Sequence, residues 1–345
     1  MKHCIQQELD PITLPVAQVL AFLQDLRTSR KNETVKGWLT AISRRHCKVV
    51  FEGKMVALTE LPVVHKWTRG LLVRYPPIKT RVPPWSLEVV LSALKKPPFY
   101  YPDERSPFGD VSLKFMTFRT VFLLALTSAR RVSEIHAIQH DTLIWRSTGV
   151  TALVNEDFLP KVASEWHCNR PIQLPSMEKE KDNELKKLCV RRTLLAYINK
   201  TKVIRKLKGT RQLFLCYGKS VQGSPVSKQR ISTWLKEVVQ ECYKLMGLPP
   251  PEKVKGHDVR KTATSWADMA GVPSQEICDA ATWSSDCTFS KFYKLDLHHQ
   301  GSSRFGRSVL HKSASSSEEK TLRCHLGRPT VPFSTITSLE KMENS

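Results

Sequence analysis

Residues 112–135 read SLKFMTFRTVFLLALTSARRVSEI, an almost wholly apolar run that ends in a pair of arginines. The apolar residues recur at helical spacing, and Ser112 is a residue type that commonly caps a helix start. We therefore expect a long buried helix that begins after Ser112 and brings Arg130 and Arg131 to its far end. Because the core fixes such a helix, the arginine that follows it is held in place. A guanidinium keeps its charge and suits bidentate binding of a phosphate.

An ordinary ion pair is the alternative for this arginine. Arg131 precedes Glu134 by three positions, and Asp141 follows soon after. A surface ion pair of Arg131 with either carboxylate would explain the residue without any function. Taken alone, the ion pair is the better interpretation.

Helical patterns account for most of the remaining chain. Apolar residues at helical spacing predict helices over residues 16–26, 35–42, 85–94, 188–198, 227–239, 257–269 and 274–281. Extended segments at 150–154 and 171–174 predict a small β-hairpin, and 213–217 predicts a short strand. The expected fold class is mainly α with a small β-hairpin or sheet.

A change of composition divides the chain. Residues 75–84 hold two proline pairs together with Lys79 and Arg81, and they show no helical period. We predict an all-helical N-terminal domain over 1–75, a basic proline-rich linker over 76–84 and a larger domain over 85–298. Residues 299–345 are predicted to be a disordered tail, since their serine-rich and threonine-rich composition has no apolar period.

The charge of the chain indicates a polyanionic partner. Among 345 residues, 54 are Lys or Arg and 32 are Asp or Glu, so the net charge is +22. This favours nucleic acid first and an anionic membrane surface second. No apolar run reaches the length of a membrane span, and the first residues lack a signal-peptide pattern. The nine cysteines form no C-x-x-C pair, so no metal site is predicted and a reducing, intracellular, soluble setting is expected.

Two further features carry chemistry. His257 and Arg260 form an H-x-x-R at a predicted helix start, and a spacing of three puts both on one face where they can converge on one anion. Tyr293 follows Trp283 by ten positions. A tyrosine can act as a nucleophile when cations or a base help it lose its proton. Alone, each feature is weak: the first is typical of a surface helix start, and most tyrosines lie in cores or interfaces.

The order Arg131, then H-x-x-R, then Trp283, then Tyr293 resembles the tyrosine recombinase, or phage integrase, family. The family's first box commonly reads T-G-x-R-x-S-E, and residues 128–134 read SARRVSE, so Arg131 matches its arginine. The segments FLPK, PVSK, ATSWA and FSKFY, which begin at residues 158, 225, 263 and 289, are similar to recombinases of DIRS-type retrotransposons and related animal mobile elements. The resemblance spans roughly residues 15–297.

The resemblance implies a helical core-binding domain, a mixed α/β catalytic domain and DNA cleavage through a 3′-phosphotyrosyl intermediate, without metal or cofactor. It implies that Arg131 and Arg260 hold the phosphate and that Trp283 donates its indole N–H to it. Tyr293 would attack phosphorus, and Lys161 would protonate the leaving 5′ oxygen. His257 would act in proton transfer or support the phosphate. Other candidates for the lysine are Lys179, Lys181, Lys186 and Lys187.

Three departures from the family pattern stand out. Ala129 replaces the usual glycine before the arginine pair. Tyr293 lies ten positions after Trp283, one more than the common spacing, so the loop has to absorb a residue. The N-terminal domain is short for a unit of four or five helices, so we expect it to be truncated.

Double-stranded DNA is the expected partner, and the nucleus the expected location. The resemblance implies a homotetramer on two DNA sites and a monomer or dimer off DNA, with no membrane partner. Candidates for contact with the DNA backbone are Arg44, Arg45, Lys48, Lys79, Arg81, Lys228, Arg230 and Lys261.

Three other interpretations remain open. The chain would be an inactive, domesticated recombinase copy that only binds DNA, a type IB topoisomerase, or a basic helical scaffold with a chance H-x-x-R. The scaffold predicts that the five motif side chains lie apart.

Overall fold

The computed structural model describes residues 9–76, 83–102, 107–161, 167–168 and 170–295. The chain forms two compact units, Met1–Thr80 and Arg81–Ser345, and the boundary falls inside the segment predicted to be a linker. Lys79, Arg81 and the predicted tail over 299–345 lie outside the described residues.

Over its described residues, 9–76, the first unit is built on three helices and a hairpin. Its elements are α1 Val16–Ser29, α2 Asn32–Ser43, β1 Val49–Phe51, β2 Lys54–Val56, a 3₁₀ turn Leu58–Glu60 and α3 Pro62–Arg74. Leu23 of α1 and Val35 of α2 are completely buried, and Leu71 of α3 packs in the same cluster. The apolar spacing that predicted the first two helices is therefore the spacing of their buried faces.

The hairpin was not predicted, and the unit is not all helical. β1 and β2 pair antiparallel, with Val49 opposite Val56 and Phe51 opposite Lys54. Glu52 and Gly53 form the turn with φ values of 50° and 74°. Positive φ at both central residues is the geometry of a two-residue type I′ turn, which matches the twist of the flanking strands.

The second unit is larger and mainly helical. Its helices are α4 Leu87–Leu94, α5 Leu113–Ser128, α6 Val132–Ala137, α7 Asn183–Lys187, α8 Val190–Lys208, α9 Lys228–Leu245, α10 Gly256–Met269 and α11 Ser274–Ala281, followed by a helical turn α12 Asp286–Thr288 and a π-helical turn Phe289–Tyr293. Its strands are β3 Ile144–Arg146, β4 Gly149–Ala152 and β5 Ile172–Pro175, and 3₁₀ turns lie at His140–Thr142 and Lys219–Val221. No helix in the described ranges is long and apolar enough to cross a membrane.

Helix α5 is the centre of this unit. It begins as predicted, with Ser112 accepting a hydrogen bond from the Phe115 backbone N–H at 3.4 Å. Every residue over 116–125 is buried, and α5 packs against α8, α9, α10 and β5. A helix surrounded on all sides explains why the run is apolar with little amphipathic character.

The charged residue Arg119 lies inside this core. Arg119 is fully buried, and its guanidinium donates to the carbonyls of Leu94 and Lys187 and to Thr193 Oγ1. Burial lowers the pKa of Arg119 to about 10. The side chain therefore joins α4 and the region of α7 and α8 to α5, which is a structural task.

The three-stranded sheet has the order β3-β4-β5, with both pairs antiparallel. The predicted hairpin corresponds to β4 and β5, whereas β3 was not predicted. The strand predicted over 213–217 is not formed as an element: Leu215 makes one isolated bridge to Pro225, and its N–H donates to Tyr197 Oη at 3.0 Å. Its other backbone bonds are scattered: the N–H of Leu213 donates to the Ile138 carbonyl, and that of Cys216 donates to the Ser224 carbonyl.

Candidate active site

Two adjacent arginines at the end of α5 have different surroundings. Arg130 is buried, and its guanidinium donates to Glu134 Oε1 at 2.9 Å and to the Pro171 carbonyl at 2.8 Å. The side chain of Arg131 is 19% exposed, approaches Glu134 Oε2 at 3.9 Å and donates to Thr282 Oγ1 at 3.3 Å. Arg130 is thus a structural residue, while Arg131 faces a cavity.

The ion-pair interpretation of Arg131 is weakened because both candidate carboxylates pair more closely with other arginines. Glu134 pairs closely with Arg130, and Asp141 pairs with Arg211 at 2.7 Å. The second oxygen of Glu134 accepts a hydrogen bond from the Arg131 backbone N–H at 2.9 Å. The carboxylate therefore fixes the backbone of Arg131 and leaves most of its guanidinium available.

The H-x-x-R pair lies at the start of α10. Asp258 Oδ2 accepts a hydrogen bond from the Lys255 backbone N–H at 2.7 Å, which closes the first turn. A Cβ on Gly256 would lie 2.5 Å from Ser232 Oγ and 3.2 Å from Ser232 Cα. Only glycine allows this helix start to approach α9 so closely, and the approach positions His257 at the cavity wall.

Arg260 is almost completely buried, with 3% exposure. One nitrogen donates to the Ala281 carbonyl, whereas Nε and Nη1 are buried without a partner among the described residues. Burial first, and then repulsion from Arg131, lowers its pKa to about 10, so it stays cationic at neutral pH. Buried donors left unpaired cost about 1–3 kcal/mol each. An anion would supply the missing acceptors.

Trp283 and Tyr293 pack directly on this guanidinium. Arg260 Cζ lies 4.7 Å from the ring centroid of Trp283 and 5.3 Å from that of Tyr293, and the two rings are 4.4 Å apart. Trp283 is 3% exposed, and its indole N–H also has no partner among the described residues. Three unpaired donor atoms, on Arg260 and Trp283, thus lie against the Tyr293 ring.

The backbone of Tyr293 is anchored to α10. Ser265 Oγ donates to the Tyr293 carbonyl at 3.3 Å and accepts from the Leu295 N–H at 2.8 Å. Tyr293 ends the π-helical turn that begins at Phe289. A π-helical turn holds one more residue than an α-helical turn, which provides a place for the extra residue between Trp283 and Tyr293.

A cavity of about 780 Å³ joins these elements. Four of the six candidate catalytic residues line it: Arg131, Lys161, His257 and Tyr293. The other two, Arg260 and Trp283, are buried against the Tyr293 ring. The scaffold interpretation expects these side chains to lie apart, and they lie together.

The cavity is strongly cationic. Besides Lys161, it is lined by Lys228, Lys255 and Lys261. Lys228 and Lys261 were candidates for backbone contacts, whereas Lys255 was not predicted, although it lies two positions before His257 at a helix start. Thr288 and Phe292 also line the cavity and were not predicted.

The remaining basic candidates lie elsewhere. Lys179, Lys181, Lys186 and Lys187 are not among the lining residues, and Lys187 pairs with Glu184 at 2.5 Å. Arg230 pairs with Glu237 and donates to Tyr217 Oη. In the first unit, Arg44, Arg45 and Lys48 are exposed. The geometry therefore favours Lys161 over the other lysines that the sequence suggested.

His257 is predicted to couple anion binding to proton uptake. Burial, followed by repulsion from Arg260, lowers its pKa below the usual 6.5, so the imidazole is neutral at pH 7. A phosphodiester in the cavity stabilises the imidazolium and raises that pKa. A short DNA duplex, whose phosphates do not titrate in this range, is therefore expected to bind several-fold more tightly at pH 6 than at pH 7.5, as fluorescence anisotropy would measure.

The matched control for this prediction is His136, whose pKa burial also lowers and which does not line this cavity. His257→Gln is expected to flatten the pH dependence of affinity, and His136→Gln is expected to leave it. An unchanged slope in His257→Gln would contradict the prediction.

No family model matches the chain, and no curated protein is similar to it in sequence. Several solved structures are similar to it. The Tn1549 transposon integrase in complex with transposon right end DNA aligns with a TM-score of 0.52 and 13% identity, over 87% of this chain and 86% of that chain. XerH recombinase bound to palindromic difH substrate gives 0.49 and 14%, over 88% and 73%. A lambda integrase dimer bound to a COC′ core site gives 0.45 and 11%, over 86% and 87%. The chain has the fold of the tyrosine recombinases.

Proposed function

We propose that this chain is a site-specific DNA recombinase that cleaves and rejoins DNA strands through a 3′-phosphotyrosyl intermediate. One observation carries the proposal: Tyr293 packs on Arg260 and Trp283 at the edge of a cavity that Arg131 and Lys161 also line. The fold shared with the Tn1549 integrase, which was solved on transposon DNA, supports the same chemistry.

The phosphate is the first element of the proposed mechanism. Arg131 and the unpaired Nε and Nη1 of Arg260 would hold the two non-bridging oxygens of the scissile phosphate. Trp283 would donate its unpaired indole N–H to one of them. Donors fixed before the reaction stabilise the added charge of the pentacoordinate transition state.

Bond exchange then follows at phosphorus. The Tyr293 oxygen attacks and forms a bond to phosphorus, and its proton passes to His257 in complexes in which that imidazole is still neutral. The bond from phosphorus to the 5′ oxygen breaks, and Lys161 gives that oxygen a proton. The products are a 3′-phosphotyrosine and a free 5′-hydroxyl. The Tyr293 ring has to leave Arg260 as the phosphate arrives, because it lies against that guanidinium.

Strand exchange follows from the reversibility of this step. The phosphotyrosyl bond conserves the energy of the phosphodiester, so a 5′-hydroxyl of another strand can displace Tyr293 without ATP. Four protomers on two DNA sites would perform the exchange, and monomers or dimers would exist off DNA. The proposed biological role is integration of a mobile element related to DIRS-type retrotransposons, in the nucleus.

Covalent trapping of the wild-type chain tests this proposal. A duplex from the ends of the parent element, nicked a few nucleotides to the 3′ side of the cleavage site, releases a short fragment that carries the free 5′-hydroxyl. That fragment diffuses away, so the 3′-phosphotyrosyl adduct remains. We expect a protein–DNA band that survives SDS and a nucleotide-modified peptide containing Tyr293 in mass spectrometry. DNA binding with no adduct would identify a non-catalytic DNA-binding protein. Relaxation of supercoiled DNA without a paired site would identify a topoisomerase.

A further inference from the structure

Thr282 has an unusual backbone conformation next to the candidate site. Its φ is 52° and its ψ is 52°, in the left-handed region, and it is 1% exposed. A β-branched residue in that region is a genuine outlier, because its side chain crowds the backbone. Outliers of this kind persist only where the surroundings hold them, and they are frequent at functional sites.

Other helix ends in this chain meet the same backbone need with glycine. Gly209 ends α8, and Gly247 and Gly271 follow α9 and α10, all with positive φ. The two helices that lead directly into the site end differently, α5 at Ala129 and α11 at Thr282. A glycine would be sufficient to make the turn before Trp283. The presence of threonine there therefore indicates that its side chain has a task of its own.

That task is visible in its hydrogen bonds. Thr282 Oγ1 accepts from Arg131 Nη1 at 3.3 Å and lies 3.5 Å from Glu134 Oε1, to which its hydroxyl donates. Glu134 is itself held by Arg130. The hydroxyl therefore closes a buried chain of contacts from Arg130 through Glu134 to the guanidinium of Arg131.

We propose that Thr282 is a positioning residue that orients the Arg131 guanidinium toward the scissile phosphate while its backbone turn sets Trp283 under Tyr293. The inference rests on the proposed function and adds a residue that the motifs do not contain. Arg131 has few other constraints, since its approach to Glu134 is long and its side chain is partly exposed. Loss of the hydroxyl leaves the Arg131 guanidinium in the cavity without a fixed orientation.

Three substitutions separate the hydroxyl from the backbone. Thr282→Ser keeps the hydroxyl, Thr282→Val keeps the shape and the crowded backbone, and Thr282→Gly relaxes the backbone. In single-turnover cleavage we expect Ser within about threefold of wild type. Val and Gly should lose roughly 10- to 100-fold, less than the 10²- to 10³-fold typical of deleting a transition-state donor outright. DNA affinity should be unchanged, and the melting temperature of the Gly variant should not fall.

A second substrate tests orientation directly. In a methylphosphonate at the scissile position, one non-bridging oxygen is replaced by an uncharged methyl group, so there is less charge for Arg131 to stabilise. The defects of Thr282→Val and Arg131→Ala should shrink together on this substrate. Wild-type cleavage rates in Val and Gly, or a Val defect equal on both substrates, would overturn the proposal.

A readout without cleavage separates this inference from the proposed function. Phenylglyoxal modifies accessible arginines, and mass spectrometry reports Arg131 and buried Arg130 separately. Thr282→Val should speed modification of Arg131 several-fold and leave modification of Arg130 unchanged. In Thr282→Ser, both arginines should react at the wild-type rate. If the wild type forms no covalent protein–DNA adduct, the proposed function fails. If Arg131 reacts with phenylglyoxal at the wild-type rate in Thr282→Val, Thr282 does not hold Arg131.

Discussion

Tyr293→Phe is expected to abolish the covalent protein–DNA adduct and to leave DNA binding intact. The substitution removes the one oxygen that would attack phosphorus, so no slower route through the same residue remains. It keeps the aromatic ring that packs 4.4 Å from Trp283 and beside Arg260, so the surroundings of the phosphate-binding donors are preserved. The measurement is SDS-resistant adduct on the nicked duplex, with affinity by anisotropy in parallel.

A matched control removes a tyrosine hydroxyl outside the cavity. Tyr217 stacks on Trp234, and its hydroxyl accepts a hydrogen bond from Arg230. Tyr217→Phe deletes a comparable polar contact and should form adduct at close to the wild-type rate. Persistent adduct in Tyr293→Phe would assign the nucleophile to another side chain.

The part of the fold that the sequence predicted well is the part with strong periodic patterns or side-chain caps. Ser112 and Ser227 were recognised as helix caps, and both accept the expected backbone hydrogen bonds. The predicted helix over 274–281 matches α11 residue for residue. In these segments local preference and burial favour the same element.

The wrong predictions fall in segments that have neither a strong periodic pattern nor a side-chain cap. Strands β1 and β2 are three residues long and largely exposed, so they show no alternation of buried and exposed residues. The segment 213–217 is apolar because it is largely buried, but its backbone bonds to scattered partners. These are the Ile138 and Ser224 carbonyls and the side chains of Tyr197 and Arg205. Apolar composition reports burial there and cannot report which group accepts a hydrogen bond.

The site shows the same division. Chain order, together with motifs that each span a few residues, predicted Arg131, His257, Arg260, Trp283 and Tyr293. Lys255 and Thr282 were not predicted, because their relevance depends on contacts with residues distant in the chain. Nothing in the sequence around Thr282 reveals its positive φ or its hydrogen bond to Arg131, which lies 151 positions earlier.

Lys161→Ala is expected to slow cleavage of an ordinary phosphodiester by about 10²- to 10⁴-fold, the usual contribution of a general acid. The 5′ oxygen is a poor leaving group unless it receives a proton in the transition state. A substrate with sulfur in place of that bridging oxygen has a leaving group that needs no proton. Lys161→Ala should therefore cleave the sulfur substrate at close to the wild-type rate.

The other lysines of the cavity supply the controls. Lys228, Lys255 and Lys261 line the same space as Lys161, so each would stabilise the DNA backbone electrostatically. Replacing any of them with alanine should weaken reaction of both substrates alike, because a phosphate contact does not depend on the leaving atom. Rescue by sulfur in Lys255→Ala, with none in Lys161→Ala, would move the acid to the start of α10. The substrate comparison thus separates the lysine that gives a proton from those that only hold charge near the phosphate.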